Sequence, residues 1–352
     1  MTFLGAAHAV VQAPMAGANA SAMAIAVCRA GGLGSLPCAT LTAEQIEREL
    51  RAITAATDRA YNVNFFCHDP IPVDQEIADR WLAVLAPYLA EYGVEPDPAA
   101  VLAPARAPFS HDVADVVEPY RPPVVSFHFG LPATDLLTRV RSWGSHVIAS
   151  ATTVAEARWL AERGVDAVIA QGVEAGGHRG IFLTPPVAGD WQRATATQLG
   201  TMALVPQVAA AVDCPVIAAG GIVGPDTVRA AIALGATAVQ AGTAYLLCPE
   251  ALTSPLHRAA LADPASVTAL TNVLTGRPAR GIVNRLMAEL GPIHPDAPPF
   301  PFASGALTAL RAAAEAAGRT DATSLWSGQN ATGCRAVPAT EITESLVAGL
   351  PG

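Results

Sequence analysis

Lysine is missing altogether: all 21 basic side chains are arginines. Without an ε-amine the chain cannot form a Schiff base with a carbonyl substrate or with pyridoxal phosphate. The Walker-type phosphate loop, which needs a Lys, is excluded as well. Charge is sparse, at 14% of residues, and the balance is acidic, at −9. Such a surface lacks the basic stripe that nucleic-acid phosphates require. The six cysteines (Cys28, Cys38, Cys67, Cys214, Cys248 and Cys334) form no CxxC and no paired spacing. Zinc and iron–sulfur sites therefore lack a ligand set, no metal is expected, and a disulfide framework is not indicated. No run of about 18 apolar residues escapes interruption; residues 204–223 come nearest but contain Gln207, Asp213, two prolines and two glycines. The opening MTFLGAAHAVVQAPMAG carries no basic n-region and is not read as a signal peptide. These absences lead to the expectation of a soluble, cytoplasmic protein without membrane contact.

What is present is apolar: 51% of 352 residues are hydrophobic, enough for a large core. Short apolar runs alternate with segments of helical period, the pattern of βα units around a parallel sheet. Strands are expected at Ala9–Ala13, Leu33–Leu36, Asn62–Phe65, Val124–Phe127, His146–Ser150, Ala167–Ala170, Val216–Ala219 and Ala238–Ala241. Helices are clearest at Ala43–Ala56, Thr134–Trp143, Val154–Arg163, Gln198–Val212 and Pro225–Leu234. Thr42 with Gln45 forms a capping box, Gly164 marks a helix stop, and Pro225 suits a first turn.

Eight such strands, buried on both faces, fit the α/β class as a closed TIM (β/α)8 barrel. The open doubly wound sheet would show GxGxxG after the first strand, whereas Gly31-Gly32-Leu33-Gly34 follows a helix. The barrel is assigned to residues 1–248, with an excursion at about 69–123 that includes helix-like Val73–Tyr92. Residues 249–319, with helices at Ser254–Leu274 and Leu307–Ala317 around the Pro-rich 292–301, are expected to form a smaller, mainly helical region covering one end. Residues 320–352 would return to the barrel.

Ligands of such barrels gather at the C-terminal ends of the strands. Strand seven runs into Gly220-Gly221 and strand eight into Gly242-Thr243. Glycines there let backbone N–H groups approach a phosphate. Pro14 ends strand one, and Met15 offers a soft surface and a backbone N–H to a flat ring. Asn64 closes strand three. Strand six leads into Gln171-Gly172-Val173-Glu174-Ala175-Gly176-Gly177-His178-Arg179-Gly180, a glycine density that suits close approach of backbone to a ligand. His178 is the best placed of eight histidines to act as a base. His128 could reach the same cavity, His146 should face the opposite end, and His8, His68, His111, His257 and His294 read as surface or packing. Glu174 is the only obvious acid in the glycine loop. Arg179 reads either as a carboxylate holder or as an outward-facing side chain.

Taken in order, QAPMAGAN, AGGLGSLP, YNVNFF, AQGVEAGGHRG, AAGGI, VQAGTAYL and SLWSGQN resemble the nitronate monooxygenase family, formerly called 2-nitropropane dioxygenases. The SLWSGQ ending is similar to its class I branch. The resemblance implies a barrel with an added substrate-covering region and a bound FMN. The FMN phosphate would rest on Gly220, Gly221, Gly242 and Thr243, and its ring would meet Met15, Asn64, Gln171, Gly176 and Gly177, with Gln329 approaching from the C-terminal segment. His178 matches the family's catalytic histidine. The implied reaction oxidises a nitronate such as propionate 3-nitronate with O2 to a carbonyl compound and nitrite, in a monomer or homodimer.

The chain departs from the family at Ala18-Asn19-Ala20-Ser21-Ala22, where relatives commonly show a Gly and a Thr-Pro pair. It departs again at PFPFASGALTALR, where relatives often place tyrosines and a lysine. The nearest competing reading is an FMN-dependent enoyl-acyl carrier protein reductase using NAD(P)H, which has a similar EAGGH loop; SLWSGQ favours the monooxygenase. A flavin-free sugar-phosphate lyase or isomerase should offer paired carboxylates or a lysine, and a non-catalytic binder would not need the His178 loop.

Overall fold

The computed structural model describes residues 3–69, 71–103, 106–183 and 190–351. The apolar runs become eight parallel strands: β1 Val10–Gln12, β2 Gly34–Pro37, β3 Tyr61–Phe66, β4 Val124–His128, β5 His146–Ala151, β6 Ala167–Gln171, β7 Val216–Ala219 and β8 Ala238–Ala241. Each pairs with its neighbours in chain order. β8 then pairs with β1, Val239 opposite Val10, and a bridge between Val11 and Leu33 joins β1 to β2. The ring is thereby closed, as the eight-strand reading requires.

Strand periodicity explains the burial. Val11, Leu33, Ile148, Ile169 and Ile217 share one cluster, while their neighbours Val10, Val147, Val168 and Ala218 belong to another that includes the surrounding helices. Alternate side chains thus serve the barrel interior and the helical layer. The local signals act as read: Thr42 and Gln45 make a reciprocal capping box on the helix Ala43–Ala56, and Pro225 opens the helix Pro225–Ala233.

The covering region is mainly helical, as expected, but it also contains strands that the sequence reading did not place. The helix expected over 254–274 stops at Ala262, just before Pro264, whose ring and missing N–H end helical bonding. Thr268–Thr271 (β9) instead pairs antiparallel with Ala279–Ile282 (β10). β10 pairs on its other side with Gly177–His178, so the glycine loop after β6 is the third strand of this small sheet. The later helix runs Ala303–Ala316.

The excursion and the post-barrel region also pack together. Trp81, Leu85 and Val101 share one buried cluster with Leu286, Leu307 and Leu310. At this crossing Gly305 is essential, because a Cβ there would lie 1.8 Å from the Ala100 carbonyl oxygen. Gly305→Ala is expected to destabilise the protein by about 1–3 kcal/mol through overpacking, read as a lowered urea midpoint with unchanged slope. The last helix, Ala339–Val347, returns to the barrel side: Thr343 Oγ1 lies 3.0 Å from Tyr245 Oη, and the Glu250 carboxylate accepts from the Ala339 N–H.

Candidate active site

The C-terminal ends of the barrel strands open into a cavity of about 540 Å³. Met15, Asn64, Gln171, Gly176, Gly177, His178, Gly220, Gly221, Gly242 and Thr243 all line it. Gln329 does not. Its side chain is exposed and its N–H donates to the Glu174 carbonyl at 2.9 Å, while Gly328 and Asn330 on either side face the cavity.

His178 is held by its backbone as well as by its ring. Its carbonyl accepts from Gln171 Nε2 (2.9 Å) and lies 3.1 Å from His128 Nε2. His128 Nδ1 in turn lies 2.5 Å from Ser150 Oγ, and Gln171 Oε1 accepts from the Gly180 N–H at 2.9 Å. The barrel end therefore fixes the loop through two side chains. The His178 imidazole sits among Phe300, Trp326, Phe129 and Phe66, with centroids 5.2, 5.6, 6.0 and 6.1 Å away. Burial holds its pKa well below the usual histidine value, assisted by the charges of Arg106 and Arg277, so the ring is neutral at pH 7. Its Nε2 lies 3.0 Å from Thr275 Oγ1, whose proton is directed to the Arg277 carbonyl. Nε2–H then donates to Thr275 and Nδ1 is left as the acceptor. His128 is pushed down to about 3, chiefly by burial and then by Arg277.

Several side chains have roles the sequence did not show. Arg179 neither faces outward nor lines the cavity. It is fully buried, and its guanidinium donates to the carbonyls of Gln171 and Gly172 at 2.7 Å each and to Gln198 Oε1. Glu174 caps the helix Thr201–Ala209, both oxygens accepting from the Thr201 N–H. The Met15 N–H, expected to face a flat ring, is taken by Asn19 Oδ1 at 2.8 Å; Asn19 lies in the segment that departs from the family pattern. His257, expected on the surface or in packing, is buried and lines the cavity.

Arg106, Arg311, Phe66 and Trp326 also line the cavity. Arg277 stacks over Phe129, 3.9 Å from its centroid. Phe66 and Trp326 belong to YNVNFF and SLWSGQN, whereas no sequence motif marks Arg106 and Arg311, which reach the site from the excursion and the covering region. Among the described residues no group of three or more His, Cys, Asp or Glu could hold a metal. No helix among them is long and apolar enough to cross a membrane.

A closed βα barrel with a neutral, half-buried imidazole and glycine turns on its C-terminal rim defines a barrel enzyme working on a small molecule. The family model for nitronate monooxygenase matches residues 1–349. The nitronate monooxygenase of Pseudomonas aeruginosa is 42% identical over 99% of this chain and 98% of its own length. That of Paraburkholderia phytofirmans is 41% identical over 98% and 93%. Among solved structures, a nitroalkane oxidase from Streptomyces ansochromogenes superposes with a TM-score of 0.85 at 37% identity, covering 98% of this chain and 96% of that one. FabK from Thermotoga maritima gives 0.69 at 26% identity, covering 98% and 93%. The chain belongs to the nitronate monooxygenase family, whose members are flavin-dependent oxidoreductases.

Proposed function

We propose that the protein is an FMN-dependent nitronate monooxygenase that oxidises nitronates of the propionate 3-nitronate type with O2 to a carbonyl compound and nitrite. The observation carrying this reading is the neutral His178 imidazole on the rim that also bears the glycine turns after β7 and β8. The cavity suits the cofactor. Gly220 and Gly221 have φ of +122° and +73°, so their turns present backbone where a side chain would be strained. A Cβ on Gly176 would lie 2.6 Å from the Gly328 nitrogen, and one on Gly242 3.3 Å from Met15 Sδ. Gln240 Oε1, Thr253 Oγ1 and His257 Nε2 are buried along the cavity without protein partners among the described residues, as expected where a polar ligand completes the bonding.

Gly220, Gly221, Gly242 and Thr243 would hold the phosphate, and Met15, Asn64, Gln171, Gly176 and Gly177 would border the ring. Gly328 and Asn330 take the place expected of Gln329 at the C-terminal segment. Bound FMN supplies the one-electron oxidation that the protein lacks. The chain's own part is binding, orientation and proton movement. His178 Nδ1 accepts the α-proton of a neutral nitroalkane, and Nε2–H stays on Thr275. The ring of Phe66, Phe129, Phe300 and Trp326 excludes water, and the guanidiniums of Arg106 and Arg277 favour the resulting anion. The enzyme would work in the cytoplasm as a monomer or homodimer.

Protein purified from cells is expected to be yellow with bound FMN, and anaerobic propionate 3-nitronate should bleach it in a stopped-flow trace while NADH does not. A colourless protein that takes up no FMN refutes the cofactor assignment. Rapid bleaching by NADH alone would turn the reading to the reductase.

A further inference from the structure

Among the described residues, the arginines with buried guanidinium nitrogens around the site fall into two kinds. Arg179, Arg277 and Arg280 each donate to backbone carbonyls: Arg179 to Gln171 and Gly172, Arg277 to Ile181, and Arg280 to Val173 at 2.8 Å. Arg106 does not. Its Nε and Nη1 are buried and have no partner among the described residues, although it lines the cavity. A desolvated guanidinium without acceptors is costly unless an anion completes it.

Among the described residues no acidic side chain forms a salt bridge with Arg106, although the Glu315 carboxylate also lines the cavity. A second cation, Arg311, also lines the cavity and lowers the pKa of Arg106 by its charge. Arg311 forms no salt bridge among the described residues. Glu315, one turn further along the same helix, accepts from Thr323 Oγ1 at 2.8 Å. Two positive groups, one from the excursion and one from the helix Ala303–Ala316, therefore meet at the cavity, and the one carboxylate that lines it among the described residues, Glu315, forms a salt bridge with neither. Arg106 remains charged at neutral pH, since burial and Arg311 bring it only to about 10.

The placement relative to the base is specific. The Arg106 Cζ lies 5.7 Å from the centroid of Phe300, and the His178 ring lies 5.2 Å from the same centroid. The base and the unpaired cation thus sit around one phenyl ring. The turns proposed to hold the phosphate come from other segments, after β7 and β8.

The geometry points to Arg106, supported by Arg311, as a specificity-determining residue that binds a carboxylate carried by the substrate a few bonds from its nitro carbon. This inference rests on the nitronate reading above and assigns the substrate's second charge to named residues. A planar guanidinium can take a carboxylate through two parallel N–H bonds, which a neutral alkyl tail cannot reward.

The test compares kcat/KM for propionate 3-nitronate and propyl-1-nitronate in the flavin-loaded wild type and in Arg106→Gln. Removing Arg106 also alters the field at His178, but that acts on both substrates and cancels in the ratio. The ratio is expected to fall on the order of 30-fold, mainly through KM, the loss typical of truncating one side of a buried charge pair. Arg311→Gln should lower it by a smaller factor. An unchanged ratio in Arg106→Gln overturns the assignment. If that variant does not fold, Arg106→Lys replaces it: it keeps the charge but gives up the fork, and a ratio equal to wild type then overturns the assignment.

A second readout needs no turnover. Calorimetric titration with succinate should show binding that weakens by a similar factor in Arg106→Gln, whereas succinamide binding does not respond to the substitution. Equal effects on the two ligands also overturn the assignment. If the wild type oxidises neither nitronate while succinate binding still depends on Arg106, the oxidation reading fails and the carboxylate site stands.

Discussion

Replacing His178 with Asn should cost about 10²–10⁴-fold in kcat/KM toward a neutral nitroalkane, the usual contribution of a positioned general base. Toward the same compound supplied as its preformed nitronate, the loss should be far smaller, because no carbon-bound proton has to be removed. Asn fills much of the imidazole's place among Phe66, Phe129, Phe300 and Trp326 but cannot accept the proton. The pH profile supplies a second check. The active form is the neutral ring, and its pKa in the folded protein lies well below the ordinary 6.5. Activity of the wild type on a neutral nitroalkane should therefore stay level as pH falls through 6.5 and decline only at more acid values. Equal loss on both substrates in His178→Asn, or a wild-type profile that breaks at 6.5, would show that His178 is not the base.

The second large effect concerns stability. Arg179→Leu is expected to destabilise the protein by about 1–3 kcal/mol, the range for leaving buried acceptors unsatisfied. The guanidinium is fully buried, and its donors serve the Gln171 and Gly172 carbonyls and Gln198 Oε1. Leucine fills volume but leaves those acceptors inside without their donors. Lysine would not restore the arrangement, since one ammonium cannot reproduce a planar fork. Urea unfolding monitored by far-UV circular dichroism measures the change; a loss below about 1 kcal/mol would mean that the carbonyls find other donors.

The barrel was legible because its signals are local. Each strand is a short apolar run bounded by Gly, Pro or a capped helix, and burial on both faces follows from that composition. The rim residues could be placed because a barrel puts its loops at one end, so Gly220, Gly242 and His178 needed only their strand numbers. The rest depends on contacts between distant parts of the chain. β9 and β10 are too polar to announce a sheet, and Gly177–His178 becomes a strand only by pairing with Ala279 and Arg280. Asn19 takes the Met15 N–H through a turn that the sequence pattern did not specify. Arg106 lies in a Pro-rich stretch with no periodicity, and only the folded covering region shows that it reaches the cavity. Arg179 was misread for a different reason: an arginine beside glycines reads as exposed, but four hydrogen bonds to nearby acceptors hold it inside.

The covering region has a cost on the ribosome. Trp81, Leu85 and Val101 are translated early, yet their packing partners Leu307 and Leu310 emerge more than two hundred residues later. At about 5–20 residues per second, the first half of this apolar cluster waits on the order of 10–50 s for the second. Nascent chains halted between these points would present a sticky helix, Gln75–Glu91, to chaperones.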